Sequence, residues 1–450
     1  MNRKQVSLSV NTLDLLKGKI LKSAFEGKLV PQIEGEPEAL QIGKAAEEMP
    51  FRIPKKWKWI RLDSLTDYIQ RGKSPKYSEV KKIPVISQKC NQWSGFEIDK
   101  ARFIDPDTIS KYSEERKLQD LDLLWNSTGT GTIGRVAVYE SKLNPFDTAV
   151  ADSHVTVVRV DKKLMLPKFL YWFLRSPFVQ QSIESLADGS TNQKELATRT
   201  IKNVLVPVPP LEEQKRIVEK VKCLFSKIDV IQKSKDEVSR LSESFEKQLL
   251  QSSISGKLVP QLDEELEVEQ IGDAPEEVPF EIPEKWKWVR LESLGTLFSG
   301  KTPKADELTS SGNIPYFKIS DMNSSENQKY MRHTEHYLKT TPKKIFKAGS
   351  IIFPKNGGAV FTNKRRFLVR DSIVDLNTGG FYPNKNYLDE SYAFLLLSSI
   401  DFREISKGTA LPTIDSSKLK SYLVPLPPLG EQRRIVEKFE KLMLEIQKLK

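Results

Sequence analysis

Residues 47–65 read EEMPFRIPKKWKWIRLDSL, and residues 276–294 read EEVPFEIPEKWKWVRLESL, identical at 14 of 19 positions. A repeat of this length sets the architecture before any single element is considered, since a duplicated unit must bury its apolar face twice in the same manner. Working outward, two further pieces recur. The hexamer GKLVPQ occupies 27–32 and 256–261, equally far ahead of each copy. Residues 204–221, VLVPVPPLEEQKRIVEKV, return at 422–439 as YLVPLPPLGEQRRIVEKF, with 13 of 18 identical. The interiors, 66–203 and 295–421, barely match each other. Two copies of one frame therefore hold two different inserts.

The inserts carry the charge. The chain has a net charge of +11; residues 66–203 hold 21 Lys+Arg against 17 Asp+Glu, and residues 295–421 hold 19 against 12, so everything else sums to zero. A basic excess confined to particular domains favours a polyanionic partner, most often nucleic acid. Ordinary solubilising charge would account for the same numbers. With 450 residues, 38% hydrophobic and 29% charged, the chain has room for two or three globular domains. No run approaches the ~18 apolar residues needed to cross a bilayer, and MNRKQVSLSV lacks a signal-peptide core. Cys90 and Cys223 form no motif, as in a reducing compartment. These features predict a cytoplasmic protein with no membrane partner.

The frame predicts helices. After Pro209-Pro210, Ile217, Val221, Leu224, Ile228 and Ile231 alternate at +4 and +3, a coiled-coil seam. The rhythm loosens at Lys235 and resumes through Val238, Leu241, Phe245 and Leu249, with Gly256 and Pro260 as the stop. A helix over 211–255 would be roughly 65 Å long. The second copy begins alike, with Ile435, Phe439, Leu442, Ile446 and Leu449. In the frame of the repeat, Lys450 corresponds to residue 232 and Met1 to residue 230. The expectation is a cyclic, pseudo-two-fold arrangement in which the N- and C-terminal helices together pack antiparallel against the central one. Each insert should fold as a small α+β domain, an antiparallel or mixed sheet with a helix over 166–187 against it.

The motif P-x-P-P-L-x-E-Q-x-x-I, here PVPPLEEQKRI and PLPPLGEQRRI, together with NSTGTGTIGRVAVY at 126–139 and the GKLVPQ helix ending, resembles the specificity subunit of type I restriction–modification enzymes. The resemblance covers essentially the whole chain. It implies an α+β protein with two globular target-recognition domains separated by two long antiparallel coiled-coil spacers. The corresponding divisions are 1–32 and 422–450 for the two halves of the distal spacer, 33–203 and 262–421 for the recognition domains, and 204–261 for the central spacer. It also implies a non-catalytic subunit bound to double-stranded DNA with a split recognition sequence and to two methyltransferase subunits. Motor and nuclease (restriction) subunits join that complex for restriction. No cofactor is expected in this chain; S-adenosylmethionine, ATP and Mg would belong to the partners, as would adenine methylation and cleavage. Half-sites on one face of B-DNA lie roughly 34 Å apart, a distance the ~65 Å helix could span.

Candidate DNA-contacting residues lie in polar, Gly-containing, basic loops. In the first insert they are Arg71, Lys73, Ser74, Lys76, Gln88, Lys89, Asn91, Trp93, Ser127, Thr128, Gly129, Thr130, Gly131 and Arg135. In the second they are Lys301, Thr302, Lys304, Lys318, Ser320, Asp321, Lys355, Asn356, Lys364, Arg365 and Arg366, the last three as a phosphate-contacting cluster. Trp57, Trp59, Trp286 and Trp288 belong to the repeated frame and are read as structural.

Two other readings compete. One is a bipartite DNA-binding regulator acting without a methyltransferase. The other is an NTPase, because GTLFSGKT (295–302) fits the phosphate-cradling pattern G-x-x-x-x-G-K-[ST]. The first copy, RGKSPK at 71–76, lacks the leading glycine, and Pro75 and Pro303 oppose the helix such a loop must open. His333 and His336 have no Cys partners and do not predict a metal site.

Overall fold

The computed structural model describes residues 3–43, 49–129, 131–187, 194–342, 344–408 and 411–449. The chain divides into two compact units, Met1–Ser234 and Lys235–Lys450. In each unit the repeated flanks pair directly with one another. Strand Lys58–Arg61 runs antiparallel to Leu205–Val208, with Trp59 opposite Pro207, and Lys287–Arg290 runs antiparallel to Leu423–Leu426, with Trp288 opposite Pro425. Proline donates nothing to a ladder, and these two-stranded ribbons accommodate it. Both ends of each insert are thereby pinned together.

The inserts, so unlike in sequence, have the same strand order. In the first, a central antiparallel sheet runs Thr66–Arg71, Val155–Val160, Leu123–Asn126, Val136–Val138. In the second it runs Gly295–Ser299, Thr378–Pro383, Ile351–Pro354, Arg366–Leu368, with Tyr330–Met331 added in parallel at the edge. A smaller mixed sheet also recurs. Val150–Ala151 lies parallel to Pro84–Ile86, which is followed by Arg102–Ile104 and Tyr77–Ser78. Its counterpart runs Ile373–Val374, Ile314–Phe317, Tyr337–Leu338, Leu308–Thr309. What the two inserts have in common is central strands buried almost continuously, Leu123–Asn126 and Val155–Val160 in one and Ile351–Pro354 and Thr378–Pro383 in the other, a condition many sequences satisfy.

The repeated motifs converge on one polar clasp per unit. Gln214 and Gln432, fully buried, each satisfy backbone that would otherwise be stranded. The Leu166 N–H donates to Gln214 Oε1 (2.8 Å), and Gln214 Nε2 donates to Leu164 O (3.1 Å) and Pro209 O (3.0 Å). Gln432 does the same with Asp389 N–H, Tyr387 O and Pro427 O, at 2.8, 2.8 and 2.9 Å. The residue before each glutamine is a buried glutamate. Glu213 accepts from Gln32 of the first GKLVPQ, and Glu431 accepts from Trp286 Nε1 (2.9 Å). Burial pushes both carboxyls up, opposed by Trp57 and Gln32 around Glu213 and by Trp286 around Glu431. Gly27 and Gly256 close the preceding helices at φ +70° and +72°, where a Cβ would lie 2.2 Å from Pro54 or Pro283. Each stretch of the frame repeats because it touches the others.

The long helix spans Leu211–Ile254, flanked in the sequence by Arg3–Phe25 and Leu429–Leu449. In the first unit the N-terminal helix runs antiparallel to it. Lys17 pairs with Asp229 (2.8 Å), while beyond the helix end Arg216 donates to Pro31 O (3.5 Å). Phe25 sits edge-on to Phe169 and Phe173 of the insert, centroids 5.3 and 5.2 Å apart. In the second unit the end of the long helix and the start of the C-terminal helix share a core through Ile254 and Ile435. The seam is buried at Ile217, Val221, Ile228, Leu249, Ile435 and Ile446 and half-buried at Leu224, Phe439 and Leu442. Ile231 and Leu449, expected within it, are 53% and 68% exposed, and Val238, Leu241 and Phe245 are exposed too, because among the described residues the apolar clusters of the two units do not extend to them. The single helix expected over 166–187 is three short ones, Pro167–Leu174, Pro177–Gln180 and Ile183–Leu186. Pro177 lacks the N–H to continue the first and starts the second instead.

Candidate nucleic-acid interface

An antiparallel sheet sends alternate loops to the same end. In the first unit the loops 72–76, 127–135 and 152–154 gather at the end away from the frame, and 300–304, 355–365 and 375–377 do so in the second. Most of the candidate residues come together there. Each edge is tied by an isolated bridge, Thr128 to Glu195 and Asn356 to Thr413.

The Gly-Lys-hydroxyl-Pro-Lys turns, 72–76 and 300–304, superficially resemble phosphate loops, and their backbone shows what they do instead. Gly72 N–H donates to Val155 O (2.9 Å) and Lys73 N–H to Ala151 O (3.2 Å); Gly300 N–H donates to Thr378 O (2.8 Å) and Lys301 N–H to Val374 O (2.9 Å). A Cβ on Gly72 or Gly300 would stand 2.2 or 2.0 Å from a backbone carbonyl oxygen. A phosphate cradle needs these N–H groups free; here they hold the turn onto the neighbouring strand. The NTPase reading fails on this geometry.

Four of the five candidate cations of the first insert are engaged. Arg71 pairs with Glu195 (2.5 Å), Lys73 Nζ donates to Lys111 O (2.6 Å), and Lys76 pairs with Asp105 (2.7 Å). That pairing raises the Lys76 pKa and lowers that of Asp105. Arg135 donates to Gln92 Oε1 and Gly131 O, both at 3.0 Å. Gln88 Oε1 accepts from Thr132 (2.6 Å). Ser74 Oγ lies 3.3 Å from Ser153 Oγ, and Thr128 Oγ1 lies 2.6 Å from His154 Nδ1. Gly129 and Gly131 take φ +102° and +76°, and Lys89 is exposed with no side-chain partner among the described residues. Thr130 lies outside the described residues.

Three lysines of the second edge are free among the described residues. Lys301, Lys304 and Lys355 have no side-chain partner among the described residues, and Lys301 and Lys304 are exposed. Thr302 Oγ1 accepts from Leu376 N–H (3.3 Å), and Asn356 Nδ2 donates to Leu376 O (3.4 Å). Ser320 is exposed, Lys318 Nζ stands 2.7 Å from His336 Nε2, and Asp321 accepts from Lys318 N–H (2.9 Å) as a turn cap.

Several candidates are structural. Asn91 is buried and donates to Asn126 Oδ1 (2.7 Å) and Leu124 O (3.2 Å); Ser127 is buried against Thr156. The cluster Lys364-Arg365-Arg366 is not a phosphate-contacting hand. Arg365 is 3% exposed, donates to Leu397 O (3.0 Å) and Ile400 O (2.8 Å) at the end of helix Glu390–Ser399, and stacks 3.6 Å from Phe402. Burial pulls its pKa down to about 9, so it stays cationic at neutral pH and neutralises the carbonyl end of that helix. Arg366 donates to Met322 O (3.1 Å), and Lys364 donates to Asn323. Trp93 is 45% exposed, with the Arg175 guanidinium 5.3 Å from its ring. His154 and Glu195, central to the first edge, carried no signal in the sequence, since only the fold brings them beside Thr128 and Arg71.

The family model for the type I restriction modification DNA specificity domain matches residues 54–240 and 283–450. The EcoAI specificity subunit of Escherichia coli is 22% identical to this chain, covering 97% of it and 90% of that protein. The MjaVIII specificity subunit of Methanocaldococcus jannaschii is 24% identical, covering 88% and 89%. Among solved structures, a chain from work on complex assembly and conformational transition of the type I R-M system superposes with a TM-score of 0.65 at 19% identity, covering 89% of this chain and 93% of that one. The HsdS subunit from Thermoanaerobacter tengcongensis gives 0.59 at 19%, covering 90% and 93%. These share the fold.

Proposed function

This chain belongs to the type I restriction–modification DNA specificity family, and we propose that it is the sequence-reading subunit of such a system, each insert reading one half of a split DNA target. The observation that carries the reading is the pair of inserts with one strand order and unlike edges, each clasped into a copy of the same repeated frame. A duplicated frame with divergent edges suits a non-palindromic target, whereas a homodimer would read the same half twice. The frame helices set the gap between halves and dock methyltransferase subunits, which supply S-adenosylmethionine chemistry; restriction subunits would bring ATP and Mg. No helix among the described residues is long and apolar enough to cross a membrane, which agrees with action on cytoplasmic DNA.

The test is the adenine methylation pattern of host DNA when the chain is co-expressed with its methyltransferase subunit, with a control lacking the chain. A split motif present only with the chain is expected. An unchanged pattern, with both proteins soluble and co-purifying, would overturn the reading in favour of a stand-alone DNA binder.

A further inference from the structure

Within each unit a series of backbone and side-chain contacts runs from beside an edge loop to a frame helix. In the first unit Arg135 holds Gly131 O and Gln92 together. Next to Gln92, Trp93 gives its carbonyl to Arg175 Nη2 (2.6 Å), and the Arg175 guanidinium lies 5.3 Å from the Trp93 ring and 5.7 Å from Trp172. Trp172 in turn meets Phe225 of the long helix edge-on, centroids 4.8 Å apart. In the second unit Phe367, beside the 355–365 loop, donates its N–H to Lys329 O (2.8 Å) and stacks 4.7 Å from Phe394. Lys329 Nζ then pairs with Glu440 of the C-terminal helix (3.0 Å). Both series end on a frame helix, but by different last links: aromatic packing in the first unit, an exposed ion pair in the second.

We propose that these two braces are positioning devices that fix the angle between each edge and the helices beneath it, and that they make gap length part of the recognised sequence. The inference rests on the DNA-reading function proposed above. It makes Trp93 a positioning residue instead of a base contact. Such contiguous packing is a route for coupling only where breaking it has a measurable effect.

The ion pair offers a clean test, because both partners are substantially exposed and reversal should not unfold the chain. Methylation by the complex is compared on targets with the native gap and with one base pair added or removed, for the wild type, Glu440→Lys, Lys329→Glu and the double reversal. Each single reversal is expected to lower the native-gap preference by about two- to fivefold, the range an exposed pair commands, and the double reversal to restore it. A preference within experimental error of wild type in both single variants would overturn the proposal. So would a loss that the double reversal does not restore, which would assign Glu440 to another contact. Failure of the DNA-reading function itself is distinguishable, since the wild type would then methylate no split target at any gap.

Discussion

The two inserts have one strand order, and both are basic, but the cations at their edges are engaged differently. In the first, Arg71, Lys73, Lys76 and Arg135 all have partners within the domain. In the second, Lys301, Lys304 and Lys355 have none among the described residues, and the insert carries the larger basic excess. A partnered cation is already oriented and partly neutralised, which suits discrimination; a free lysine is a mobile point charge, which suits phosphate. The frames, by contrast, repeat the three bonds of the buried glutamine, Gln214 in one and Gln432 in the other. The lesson is that duplication preserved the contacts that hold an insert and released those that face outward.

The largest predicted effect tests the sameness of the frames. Gln214→Ala or Gln432→Ala would leave one N–H and two carbonyls without partners in a buried site. Each should cost about 3 kcal/mol, read by urea denaturation and by hydrogen exchange in the affected unit. Clearly unequal losses would break the equivalence of the two clasps.

Next comes the difference between edges. Replacing Lys301, Lys304 and Lys355 by Gln should reduce the slope of log affinity against log salt by up to about 2.7, at ~0.9 per lost phosphate contact. Lys73→Gln with Lys76→Gln should change it by less per residue. Equal changes per lysine would erase the distinction drawn here.

The smallest effect is on pH dependence. Glu213 and Glu431 have folded pKa values raised by burial. The stability they contribute is therefore full below the ordinary value of 4.5 and is lost as pH rises through the raised values. Wild type should lose stability as pH rises above the ordinary carboxyl value of 4.5, relative to Glu213→Gln with Glu431→Gln, measured as the change in denaturation midpoint. The two single variants should share the effect if the clasps are alike.

Much of the frame was legible because its signals are local or duplicated. The long helix was expected over 211–255 and spans Leu211–Ile254; the frame tryptophans, read as structural, are buried. The α+β character of the inserts and the direction of the N-terminal helix also follow the expectation. The candidate site was less legible. Lys364-Arg365-Arg366 reads as a basic run, yet Arg365 is used to close a helix end. Asn91 and Ser127 read as loop polar groups, yet they are buried beneath the edge. Trp93 reads as a DNA-contacting loop residue, and the fold sets its ring beside the Arg175 guanidinium.

The sequence by itself determined that there are two frames, that they are helical, and that the inserts between them differ. Identity across a repeat and apolar periodicity are properties of the chain alone and survive without knowledge of what packs where. Only the tertiary structure decided that the two inserts share one strand order, that the glycine turns spend their N–H groups on neighbouring strands, and which cations remain free. The partner of a polar side chain is set by whatever distant segment folds against it. Arg71 and Glu195 lie 124 residues apart in sequence, and no local pattern links them.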